Sequence, residues 1–301
     1  MENFNKKLVV IFGSMRIPFL ILTPACVLLG IASAVWTQNE LKILNIIIVF
    51  IGALASHISV NTLNEYYDFK SKLDFYTQPT PFSGGSKTLP NNPEKANIAL
   101  LIGIISLFIV IIIGTYFIYL KRLLLLPIGL LGIVIIVTYT NWITKNPIIC
   151  LIAPGLGFGI LMVMGTYFAL TGSYSWTSFF ASLVPFFLVN NLLLLNQFPD
   201  VEADKIVGRK HLPILLGRNF SAKIYSLFLI LVYISVILGY LFGFLPITSF
   251  LIFLTIPLSY LSIIGTIKNA DNIPKLVPIL GINVIITISI PILLAIGLFI
   301  G

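Results

Sequence analysis

Apolar runs near twenty residues long recur along the whole chain, separated by short polar stretches. A helix of that length matches the hydrocarbon thickness of a bilayer. The pattern predicts nine spans, at about 17–36, 43–63, 97–120, 123–141, 148–170, 177–197, 223–245, 247–266 and 276–300. Only Lys121 and Arg122 separate the third span from the fourth, which requires a tight turn. Pro127, Pro154, Pro185 and Pro199 fall in or near the runs, where kinks or helix ends are expected. The longest polar interruptions are about 64–96 and 198–222.

Composition agrees with the pattern. The 301 residues are 58% hydrophobic and 9% charged, which excludes an ordinary soluble domain. The expected fold is an all-α polytopic membrane bundle, one embedded domain over 1–301. Cys26 and Cys150 lie inside apolar runs and read as packing residues. Lys6, Lys7 and Arg16 before the first run, with Ala32-Ser33-Ala34 further on, resemble a secretory leader and its cleavage site. That run is long enough to span, however, so we read a retained first helix.

The net charge of +8 is spread over several short loops, which argues against nucleic-acid binding and for a role in membrane orientation. With nine spans, fifteen of the 18 Lys and Arg fall on the N-terminal side, leaving Lys42, Lys121 and Arg122 opposite. Lys121 and Arg122 are tolerable there if they reach into headgroups. The excess predicts a cytoplasmic N-terminus and an outer C-terminus, in the cell membrane. An even number of spans separates the two polar stretches, so both are expected on the cytoplasmic face, where they can share one site.

Those stretches hold six of the ten acidic residues: Glu65, Asp68, Asp74, Asp200, Glu202 and Asp204. Asn196, Asp200 and Asp204 stand at four-residue steps, on one face of a continuous helix. Asn64 and Asp68 repeat that step. Carboxylates crowded at a membrane edge repel one another unless cations intervene. Hard oxygen donors suit Mg²⁺, which bridges a few carboxylates to substrate phosphates. Lys72, Lys87, Arg209 and Lys210, with Arg16 and Lys145 further off, are candidates for the remaining phosphate oxygens. The residues therefore describe a Mg²⁺–diphosphate site opening into an apolar bundle, as a prenyl diphosphate would require.

His57, Asn61, Asn64 and Asp68 form a narrow stripe on span two that should face a cavity or the bundle interior. His57 reads first as a helix–helix hydrogen-bonding group and second as part of an acceptor pocket, with Asn61. Phe82-Ser83-Gly84-Gly85-Ser86-Lys87 could cradle phosphate with backbone N–H groups. The glycines of span five (155, 157, 159 and 165) read as close-packing positions. His211 reads as structural or solvated.

Asn64-x3-Asp68 with Asp74, then Asn196-x3-Asp200-x3-Asp204 followed by Lys205, Gly208, Arg209, Lys210 and Leu216-Gly217, resemble the UbiA superfamily of intramembrane prenyltransferases. The resemblance covers essentially the whole chain. It implies a helical bundle with its cavity open to lipid, two Mg²⁺ ions, polar loops at about 64–96 and 198–222 capping the site, and metal ligation by Asn64, Asp68, Asp74, Asn196, Asp200 and Asp204. The commonest family form of the first motif puts an acid at the position of Lys72. A continuous helix would swing Asp74 about 120° from Asp68, so the chain should leave the helix between them. That longer spacing, and Gly155–Gly159, look like the branch that prenylates 1,4-dihydroxy-2-naphthoate in menaquinone synthesis. Tyr139 and Lys145 stand six apart where the family has Tyr-x3-Lys. Pro199 is expected to mark a helix break turning the second motif toward the metals. Tyr139, Trp142 and Tyr67 are candidates for an aromatic wall around an allylic cation.

The expected function is transfer of a polyprenyl group to an aromatic acceptor, 1,4-dihydroxy-2-naphthoate before 4-hydroxybenzoate, a tetrapyrrole or an isoprenoid glycerol phosphate. Two other classes compete. A cation-coupled transporter should show internal repeats and midplane ionisable groups, and neither is clear here. Transfer of phospholipid headgroups uses one continuous acidic motif rather than two distant ones.

Overall fold

The structure is a computed structural model that describes residues 2–38, 40–121 and 123–301, with side chains from Lys7 onward. Arg122, half of the expected tight turn, lies outside the described residues, as does the side chain of Lys6. The described residues form helices and connecting turns without a strand. In a bilayer every backbone N–H and C=O must be satisfied within the protein, and a helix does this within its own segment.

Among the described residues, eight helical segments are long and apolar enough to span: α2 (Ile17–Thr37), α3 (Ile43–Lys70), α6 (Pro93–Lys121), α8 (Pro147–Thr171), α9 (Trp176–Ile206), α10 (Leu212–Leu241), α11 (Ile247–Asn269) and α12 (Ile273–Ile300). The shorter apolar α7 (Leu123–Thr138) makes the ninth segment. Between them lie α1 (Glu2–Met15), α4 (Leu73–Tyr76) and α5 (Thr88–Asn91). Proline sits in the first turn at the start of α2, α6, α8, α10 and α12, where its missing N–H costs no helical bond.

Three features differ from the sequence reading. The stretch before Arg16 is a helix, α1, packed on α3, α5 and α6. Both acidic motifs are largely helical, because α3 runs on to Lys70 and α9 to Ile206, so the polar caps begin later than 64 and 198. Pro199 does not break α9: the helix continues through both Pro185 and Pro199. A proline removes only one intrahelical donor, and a helix buried among neighbours tolerates that loss. In α10 the break falls at Gly217, whose φ of 78° is open to glycine at little cost.

The packed core lies between α2, α9, α10, α11 and α12, around Cys26, Leu29, Leu188, Leu195, Phe198, Leu229, Ile252 and Ile290. Ala32-Ser33-Ala34 is buried within α2, with the Ser33 hydroxyl donating to Leu29 O. Cys26 and Cys150 are buried free thiols. On the other side α3 packs along α6, and a large cavity opens between α3, α6, α7, α8 and α9.

Candidate active site

The first motif is positioned by the end of α3. Asn64, Glu65 and Asp68 are helical, and the chain then turns sharply through Lys72, whose backbone is left-handed at φ 64°. The turn brings Asp74 back beside the motif on α4, buried. The loop after α4 folds over it. Lys87 Nζ donates to Asp74 O, to Thr77 O at 2.6 Å and to Thr77 Oγ1 at 2.8 Å, closing the loop on itself. Gly84 and Gly85 have φ of 87° and 73° and place their backbone against the carboxylates. Gly84 N donates to Asp200 Oδ2 at 3.1 Å. A Cβ on Gly85 would stand 2.4 Å from Asp74 Oδ1.

The second motif meets the first through Arg209. Its guanidinium pairs with Asp68 Oδ1 and, at 3.0 Å, with Asp204 Oδ1. The other oxygen of Asp204 pairs with His211 Nε2 at 2.8 Å. A second pair joins Arg16 Nε to Glu65 Oε1 at 2.6 Å, and the Ser86 hydroxyl donates to Glu65 Oε2 at 2.8 Å. Arg16 itself sits at a left-handed turn between α1 and α2, and Asn61 Nδ2 fixes that turn by donating to Met15 O at 3.0 Å. Asn64 Nδ2 donates to Thr140 Oγ1 at 3.0 Å. The two stretches thus occupy one end of the bundle.

Burial sets the electrostatics. It would lower the pKa of Arg209, but the charges of Asp68 and Asp204 outweigh it and hold the guanidinium ionised. For Asp74, burial pushes the carboxyl up to about 7, reinforced by Glu65 and Asp68 and only partly offset by Arg16 and Lys87.

These groups ring the mouth of a cavity of about 700 Å³. Asn64, Asp68, Asp74, Asn196, Asp200 and Asp204 all line it. So do Arg16 and Arg209 among the phosphate candidates, and His57, Asn61 and Tyr139 among the acceptor-pocket candidates. His57 also accepts or donates through Nδ1 to Thr23 Oγ1 at 2.8 Å, so it joins helices and faces the cavity at once. Lys72, Lys145 and Lys210 are exposed and stand outside the lining. Lys87 is engaged in its own loop, and Trp142 and Tyr67 are also outside the lining. The sequence gives Glu65 no partner and Ser86 no role beyond the glycine-rich stretch, while His211, structural or solvated by its sequence, is buried against Asp204. Glu65 carries only the signal of an acid between Asn64 and Asp68.

Among the described residues no three Asp, Glu, His or Cys side chains converge on one point. Mg²⁺ does not require that, since it is commonly held by one or two carboxylates with waters and substrate phosphates completing its shell. Asp74 Oδ2, Asn196 Oδ1 and Asp200 Oδ1 are buried without a protein partner, all from residues on the cavity wall. Unpaired hard oxygens at the mouth fit such an ion.

Residues 22–277 match the model of the UbiA prenyltransferase family. A 1,4-dihydroxy-2-naphthoate octaprenyltransferase from Bacillus subtilis (strain 168) is 29% identical over 246 residues, covering 81% of this chain and 77% of that protein. A digeranylgeranylglyceryl phosphate synthase structure has a TM-score of 0.66 at 19% identity, over 100% of both chains. A UbiA homologue from Archaeoglobus fulgidus bound to DMAPP and Mg²⁺ has a TM-score of 0.61 at 15% identity, over 96% of this chain and 98% of that one. The two structural likenesses establish a common fold.

Proposed function

The chain belongs to the UbiA prenyltransferase family, and we propose that it transfers a polyprenyl group from its diphosphate to 1,4-dihydroxy-2-naphthoate, in a Mg²⁺-dependent reaction. The observation that carries this reading is the meeting of two distant acidic motifs and two arginines at the mouth of one apolar cavity. The acceptor rests on the Asp68–Asp74 spacing and on the naphthoate-specific relative.

Asp68, Asp74, Asp200 and Asp204, with Asn64 and Asn196, would hold the metal. Bound there, Mg²⁺ neutralises charge on the departing diphosphate. Arg16 and Arg209 bind and orient the phosphate oxygens. The allylic C–O bond breaks with its electron pair leaving on the diphosphate, an electron-rich ring carbon forms the new C–C bond, and that carbon then loses its proton, or its carboxylate as CO₂, to restore the aromatic ring. The cavity walls exclude water that would quench the allylic cation, and Tyr139 presents an aromatic ring to it. His57 and Asn61 border the space left for the acceptor. The Lys and Arg asymmetry supports a single domain in the cell membrane with this mouth toward the cytoplasm.

The test is to incubate purified protein with Mg²⁺, a labelled polyprenyl diphosphate and a panel of acceptors. Prenylated naphthoate with release of diphosphate is expected. Transfer only to 4-hydroxybenzoate, a tetrapyrrole or an isoprenoid glycerol phosphate would replace the acceptor and leave the reaction class standing.

A further inference from the structure

Gly155, Gly157 and Gly159 follow one another on α8 but face different surroundings. A Cβ on Gly155 would lie 2.0 Å from Phe186 O, and one on Gly159 2.4 Å from Phe186 N, so these two let α8 close on α9. A Cβ on Gly157 would meet nothing within 4 Å, although Gly157 lines the cavity. The same holds for Gly129 on α7 and Gly114 on α6. Glycine inside a helix is less stable than alanine by roughly 0.5–1 kcal/mol. Close packing does not account for these three, because no neighbour approaches them. What they share is a cavity wall without a side chain.

They also lie at different depths. On α3 the lining runs from Asp68 at the mouth to Val49, about 28 Å at about 1.5 Å per residue. Gly157 is about 10 Å along α8 from Cys150, which contacts Gln197 beside the second motif. Gly129 is about 15 Å along α7 from Tyr139. Gly114 adjoins Ile113, which touches the Cβ position of Gly52, about 24 Å along α3 from Asp68. At the mouth, the buried and unpaired Asp74 Oδ2 marks the end at which a charged ligand is held.

We propose that Gly157, Gly129 and Gly114 set the length of prenyl chain the enzyme accepts, each leaving the channel open at its own depth. This rests on the prenyl diphosphate reading above. A chain anchored by its diphosphate at the acidic mouth would pass the three in that order, and a side chain at any of them would stop it there.

The experiment measures binding of dimethylallyl, geranyl, farnesyl and longer all-trans diphosphates, up to octaprenyl, by calorimetry with Mg²⁺. The proteins are wild type and Gly157→Leu, Gly129→Leu and Gly114→Leu. Each variant should bind donors shorter than its depth as wild type does and lose about tenfold or more on longer ones, the scale at which a pocket rejects a misfitting apolar group. The cut-off should move to longer donors from Gly157→Leu to Gly129→Leu to Gly114→Leu. The Gly→Ala variants add one carbon into open space; they should melt no lower than wild type and shift the cut-off in the same order. Equal affinities at every length, or a loss independent of length, would overturn the proposal. Turnover with the acceptor panel is a separate measurement: its absence in wild type, alongside a length-graded binding series, would count against the reaction and not against the channel.

Discussion

Arg16 and Glu65, separated by 49 positions, meet in an ion pair at 2.6 Å whose carboxylate is fully buried. The pair joins the α1–α2 turn to the first acidic motif, and Ser86 adds the glycine-rich loop to the same carboxylate. Removing one partner of a buried pair costs about 3–5 kcal/mol; the low end applies to Glu65→Gln, because the Arg16 side chain is a quarter exposed. Glu65→Gln should lower the melting temperature and expose the 77–87 loop to protease, and adding Arg16→Gln should recover part of the loss. Unchanged melting and proteolysis would show that the pair does not hold the mouth together.

The two arginines differ in place from the exposed lysines, and this ranks the phosphate contacts. Arg16→Ala and Arg209→Ala should each weaken donor binding or turnover by roughly tenfold to a hundredfold, the value of a charge-assisted contact of about 1.5–3 kcal/mol. Lys72→Ala, Lys145→Ala and Lys210→Ala should stay within about threefold, since exposed charges contribute about 0–1 kcal/mol. Steady-state kinetics with varied prenyl diphosphate checks the ranking, and a larger loss at any of the three lysines would move the clamp outward.

Asp74 makes metal binding dependent on pH. Its carboxyl is pushed up to about 7 by burial first, then by Glu65 and Asp68. Between the ordinary value of 3.8 and about 7 the folded, metal-free protein holds a proton that the unfolded chain does not. Stability from this group is therefore present at low pH and lost as pH rises through that window. Metal binding requires the ionised form, so apparent Mg²⁺ affinity should fall up to about tenfold per unit as pH drops below about 7. Calorimetric titration with Mg²⁺ and inorganic diphosphate checks this. Asp74→Asn should reduce the slope along with weakening the affinity, and a wild-type profile without slope would exclude Asp74 as a titrating ligand.

The apolar runs made the nine segments legible, since few residues interrupt them. The joining of the motifs was legible too, through the parity of the spans and the four-residue steps. The exit of the chain from α3 after Lys70 followed from the Asp68–Asp74 spacing. What local pattern did not carry was the direction of long side chains. Lys72, Lys87 and Lys210 have the right charge near the site, yet a left-handed backbone, a loop carbonyl or plain exposure takes each elsewhere. The partners of Glu65, Arg16 and Ser86, come from other segments, and that of His211, Asp204, lies across a turn, so neither pairing shows in local pattern. Pro199 misled because a local rule for helix breaking was outweighed by burial among neighbouring helices.

Gly85 offers a test of whether Asp74 acts through its position. Its φ of 73° is strained for any residue with a Cβ, at about 1–2 kcal/mol. In addition its Cβ would fall 2.4 Å from Asp74 Oδ1, so Gly85→Ala must displace that carboxylate. Gly243, in the turn between α10 and α11, has φ 76° and nothing within 4 Å of a Cβ, so Gly243→Ala carries the strain without the collision. Both variants should melt lower, Gly85→Ala by at least as much as Gly243→Ala. Only Gly85→Ala should lose Mg²⁺ affinity and turnover, by about tenfold or more if Asp74 is a metal ligand. Equal turnover in the two variants would show that the reaction does not depend on where Asp74 is held.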